Sequence, residues 1–140
     1  MERSMKELSK YRFETCKEDL YDAQLMLKNG RYKNALNRGY YAIFHAIRAV
    51  NALDGFDSSK HSGVIAHFNQ TYVKTNIFPK EVSRMIREAS ENREKADYLD
   101  FFIASKDEAE KQVARAISFI EYIETYLIDN KILEIRGDKE

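Results

Sequence analysis

Tyr32-Lys-Asn-Ala-Leu-Asn-Arg-Gly-Tyr-Tyr-Ala-Ile-Phe-His-Ala-Ile-Arg-Ala-Val-Asn-Ala-Leu53 is the stretch that decides the fold. Between Gly39 and Ala52 only His45, Arg48 and Asn51 break an apolar and aromatic run. A helix that is apolar on more than one face must be covered on more than one face, so this segment reads as a central helix. Asp54-Gly55 closes it.

Working outward, Phe13, Cys16, Leu20, Ala23 and Leu27 recur at helical spacing, and Asn29-Gly30 follows as a stop. On the other side, Ser58 and Ser59 are N-cap candidates for a helix carrying Val64, Ile65, Phe68, Tyr72 and Val73, ended by Thr75-Asn76. Pro79 suits the first position of a fourth helix through Val82, Met85, Ile86 and Ala89. The period lapses near Ala96 to Ile103, where a bend or loop is expected. Ser105-Lys-Asp-Glu108 is a capping-box pattern. It opens a last helix with the stripe Ala109, Val113, Ala116, Ile120, Ile123 and Leu127. No segment alternates with period two. The expectation is an all-α, up-and-down antiparallel bundle of four to five helices, one domain over residues 1–130, with 131–140 as a polar tail.

Bulk properties narrow the classes of function. The chain has 140 residues, 44% hydrophobic and 33% charged, which suits one globular core. Its 23 basic and 23 acidic residues cancel, so no whole-molecule pull on nucleic acid or anionic membrane is expected. Cys16, on the apolar stripe, is the one cysteine, which rules out an internal disulfide and a cysteine zinc site and favours a reducing cytoplasm. No stretch has the roughly 20 apolar residues of a membrane span, and Met1 to Lys10 lack the apolar core of a signal peptide.

Four segments in order resemble the HEPN family of small helical bundles: Gly30 through His45, Lys60-His-Ser-Gly-Val-Ile65, Phe68 through Thr75, and Arg93-Glu-Lys-Ala-Asp-Tyr98. The similarity spans about residues 10–128. It implies the same helical bundle. It also implies two kinds of role: RNA-cleaving toxins, which use an Arg and a His a few residues apart across a dimer interface, and proteins paired with a minimal nucleotidyltransferase. Fold alone selects neither.

Arg93 stands where the catalytic Arg of the resemblance would fall, and Tyr98 where the His would be. Imidazole titrates near neutrality, whereas a phenol, with its ordinary pKa of about 10, is a poor proton carrier there. The structural alternative is an Arg93–Asp97 ion pair on a helix surface. Arg38 and His45 repeat the Arg/His pattern with six residues between them. Two helical turns, roughly 10.5 Å, would part them, so they would line one groove without touching or meet counterparts in a dimer. The alternative is a structural His45 beside Tyr41 and Phe44. Lys60, His61 and Ser62 open a helix and suit an anion, though a plain cap reads as well. His67 is off the face of His61, so no metal site is expected there, and no cofactor is called for.

The reading that follows is a homodimeric interaction module paired with a nucleotidyltransferase-type partner in a toxin–antitoxin-like system. One alternative is a ribonuclease with a degenerate motif in which Arg93, Tyr98 and His45 cooperate on RNA. The other is a nucleotide-binding domain using Arg38, Lys60 and His61. The dimer is expected from apolar surface on the second helix that one bundle leaves uncovered.

Overall fold

The structure, a computed structural model, describes residues 2–135. Five α-helices run in order: α1 Glu2–Lys28, α2 Tyr32–Asn51, α3 His61–Phe68, α4 Glu81–Tyr98 and α5 Lys106–Asp129. No strand occurs among the described residues, and the helices form an up-and-down bundle. None of these helices is long and apolar enough to cross a membrane.

The helix ends follow from local chemistry. Gly30 takes φ 74°, and the Arg31 N–H reaches back to the Met26 carbonyl at 2.8 Å, which turns the chain out of α1. A short 3-10 turn, Ala52–Asp54, carries α2 to Gly55 at φ 78°. At α5 both arms of the capping box form: the Glu108 N–H donates to Ser105 Oγ and the Ser105 N–H to Glu108 Oε1, each at 3.0 Å.

Two starts differ from expectation. The N-cap of α3 is Lys60, without a side-chain cap, because Ser58 Oγ instead accepts from the Lys60 N–H at 3.2 Å. Pro79 lies two residues ahead of α4; its carbonyl accepts from the Val82 N–H in a lead-in turn. Past α3 the backbone widens into a π turn over Asn69–Val73, which keeps Tyr72 and Val73 facing the core. The expected bend near Ala96 comes later, since α4 continues to Tyr98 and the loop follows it.

The centre of the bundle is α2, which packs against α1, α3, α4 and α5. Its apolar faces are therefore covered within the chain, and the surplus surface expected on it is absent. The α5 stripe from Ala109 to Leu127 is buried throughout. Its four large aliphatics, Val113, Ile120, Ile123 and Leu127, contribute about 1.5–3 kcal/mol each by leaving water.

One polar side chain crosses this core. Gln112 of α5 is fully buried; its Nε2 donates to the Leu36 carbonyl of α2 and the Ala89 carbonyl of α4, each at 3.1 Å. Its Oε1 accepts from Arg115. The approach requires Gly39, where a Cβ would stand 2.9 Å from Gln112 Cγ. The polar tail begins later than residue 131, because Ile132 and Leu133 pack back onto the core. Residues 136–140 of that expected tail lie outside the described residues.

Candidate functional site

Near the C-terminal end of α4, Arg93 lies beneath a set of aromatic rings from α2. Its guanidinium carbon is 4.6 Å from the Tyr40 ring centroid and 5.8 Å from those of Tyr41 and Tyr98. Only 10% of the side chain is exposed. One Nη lies 3.5 Å from the Tyr98 hydroxyl and 3.5 Å from an Asp97 oxygen, while the buried Nε has no partner. The pair with Asp97 forms, but on a buried guanidinium rather than on an exposed helix surface.

His61, at the first turn of α3, meets the same aromatic floor. Its Nδ1 is 3.0 Å from the Tyr40 hydroxyl, and its ring stacks on Phe44 at 4.1 Å. Burial, with the charges of Arg93 and Arg48, pushes the imidazole below its usual range. Burial also pushes the Tyr40 phenol up to about 12, against the pull of Arg93. Arg93 and His61 both line a groove of about 480 Å³ between α3 and α4. Ser62, Ser90 and Arg87 share its wall, and Glu91 and Glu94 border it.

The other proposed residues join through a polar chain. Asp97 accepts from Asn37 Nδ2 at 3.0 Å, and Asn37 Oδ1 accepts from Arg38 Nε at 2.9 Å. Arg38 then pairs with Asp19 of α1 at 3.1 Å, and the other oxygen of Asp19 lies 3.6 Å from His45 Nε2. Arg38 and His45 are thus two turns apart yet share one carboxylate, a link that their spacing alone did not reveal. Burial drives His45 down to about 4, helped by Arg48, Arg38 and Arg12, so it is neutral at pH 7. Burial also raises Asp19, against the opposing pull of Arg38. Lys60 is exposed at the N-cap of α3 and does not join this chain of contacts.

The HEPN domain profile matches residues 9–126. The chain belongs to the HEPN family. It is 36% identical over 116 residues to a UPF0332 protein of Thermotoga maritima, covering 83% of this chain and 88% of that one. It is 31% identical over 121 residues to a Methanocaldococcus jannaschii protein named "Putative toxin MJ0142", covering 86% and 78%. A crystal structure of TT1696 from Thermus thermophilus superposes with a TM-score of 0.71 at 19% identity, over 89% of this chain and 98% of that one, which shows the shared fold.

Within this HEPN domain the sequence pointed to Arg93 with Tyr98 and, apart from them, to His61; the structure sets Tyr98 beside Arg93 and puts Arg93 and His61 in one groove. Tyr40, the residue that joins Arg93 to His61, was legible only as part of the apolar and aromatic run of the central helix. Asn37 and Asp19 carried no local signal, because each acts through a partner far along the chain.

The loop that follows Arg93 and Tyr98 is the second element of the site. Phe101, at φ 61°, is fully exposed, Ile103 is 88% exposed, and Leu99 and Tyr98 are also open to solvent. The surface surplus expected on α2 is found here instead.

Proposed function

We propose that this chain is the toxin-like member of a two-protein system and acts through protein contacts. In this reading, residues 1–130 form the working bundle, it pairs with a second copy, and a nucleotidyltransferase-type partner binds the pair in the cytoplasm. The observation that carries the reading is the corner from Tyr98 to Ile103. Monomeric proteins rarely hold a contiguous set of large apolar side chains away from the core, and such sets mark interaction surfaces. Tyr98 of this corner lies 3.5 Å from Arg93, so a partner on the corner would sit at the edge of that cluster. The names of toxin relatives support the toxin-like half.

The test is sedimentation of the wild type beside Phe101→Asp. Twice the 16.4 kDa chain mass is expected for the wild type and the single mass for the variant. Co-purification with a small nucleotidyltransferase encoded in a neighbouring reading frame is expected for the wild type only. A wild type that sediments at 16.4 kDa at high micromolar concentration overturns the dimer.

A second reading has its own observation, the guanidinium of Arg93 beside His61 in the α3–α4 groove. A fixed cation in a groove suits a phosphate of RNA or of a nucleotide. Arg38 is held by Asp19 and Asn37, which leaves Arg93 and His61 as the centre of that site.

A further inference from the structure

At the other end of α4 lies a separate groove of about 640 Å³ between α4 and α5. Its floor is apolar: Phe78 and Tyr126 are ring neighbours at 5.2 Å, and Met85 adjoins them. Asn76, at φ 67°, turns the chain so that Ile77 stands 48% exposed at the edge. The rim is acidic. Glu81, Glu121 and Asp129 border the groove, and among the described residues no Lys, Arg or His lines it.

Two further features sharpen its charge. Asp129 closes α5, where the carbonyl end of the helix dipole adds negative potential. Glu81 accepts from the Tyr122 hydroxyl at 2.8 Å, which holds one carboxylate in place against the α5 wall. Three carboxylates without a lining cation repel phosphate, so nucleic acid and anionic membrane do not fit. Along α5 the wall runs from Ser118 to Asp129, about 17 Å, which matches a helix of about three turns.

We infer that this groove binds an amphipathic helix of another protein, one that carries Lys or Arg beside its apolar face. The apolar stripe lies on Phe78, Met85 and Tyr126 as in other helix-in-groove complexes, and the basic residues meet the acidic rim. The rim supplies choice of partner and salt sensitivity more than raw affinity. The surface is distinct from the Tyr98–Ile103 corner, so this inference stands or falls separately from the proposed function.

The probe is a fluorescent Leu/Lys amphipathic peptide of about three helical turns, compared with its Leu/Glu counterpart by anisotropy on the full chain. The Leu/Lys peptide is expected to bind and the Leu/Glu peptide not to. The double variant Glu121→Lys/Asp129→Lys, at exposed positions, should weaken binding about tenfold or more, as should high salt. Phe101→Asp should leave it unchanged. Equal binding of both peptides, binding of neither, or charge reversal without effect would each overturn the inference. So would a change in the mass of the protein alone on charge reversal, since a second copy would then be the occupant.

Discussion

Two buried polar side chains, Gln112 and Arg93, lie against α2, and they have been treated oppositely. Gln112 is closed off and fully matched: both amide hydrogens reach main-chain carbonyls and its oxygen takes Arg115. Arg93 is buried almost as deeply, yet its Nε has no partner and three tyrosine rings surround it. Matched buried polar groups are the rule, so the exception asks for a cause. A satisfied amide fixes the register of α2, α4 and α5. On the proposed reading, an under-satisfied cation beside a groove and an exposed loop is the one available for contact, which would separate it from a residue kept for architecture.

The largest expected effect belongs to the matched side. Gln112→Ala removes three hydrogen bonds and leaves a cavity beside Gly39, so it should cost about 2–4 kcal/mol. Urea denaturation measures it. A loss under about 1 kcal/mol would mean that Gln112 fills space without tying the helices together.

How far the sequence foretold this contrast depends on the range of the contacts. The bundle was legible because the α5 stripe and its capping box are local patterns, read within a few turns of one helix. Gln112 was not, since nothing in its neighbourhood says that Gly39, far away on α2, leaves room for it. Arg93 was legible by resemblance, but its setting was not: Asp97 is local, whereas Tyr40 and His61 arrive from other helices. The dimer expectation looked to α2 because an apolar helix seemed over-supplied. Four neighbouring helices cover it, and one set of exposed apolar residues lies in a loop where the helical period had failed.

A smaller effect tests the charged side through pH. His45 is neutral in the fold, with its pKa depressed to about 4 by burial and nearby arginines. The unfolded chain binds that proton near the ordinary value of about 6.5, so it takes up more protons across this window. Stability should therefore fall as pH drops from about 6.5 to about 4, by about 1–3 kcal/mol. The upward shift of Asp19 runs the other way and trims the loss. In His45→Gln the slope should flatten, while Gln112→Ala should keep the wild-type slope. Equal slopes in wild type and His45→Gln would show that His45 is not the group being charged.

The smallest stability effect should come from Arg93, and that is what makes it informative. Met in its place keeps much of the contact with Tyr40, and Asp97, the ion-pair partner, keeps Asn37 as a donor. Arg93→Met should therefore change stability by less than about 1 kcal/mol. A loss as large as that of Gln112→Ala would make Arg93 architectural and end the contrast. Binding should move instead. Wild-type protein should hold single-stranded RNA weakly, in a salt-dependent way, and Arg93→Met should lose that binding. Cleavage should be slow or absent in the wild type, because Tyr98 occupies the place beside Arg93 and His61 is held by Tyr40 and Phe44. Tyr98→His puts a group that titrates near neutrality within reach of Arg93, so cleavage appearing only in that variant would show a cleft lacking one proton carrier. Brisk cleavage by the wild type, lost in both Arg93→Met and His61→Gln, would instead make His61 that carrier and promote the ribonuclease reading over the interaction module.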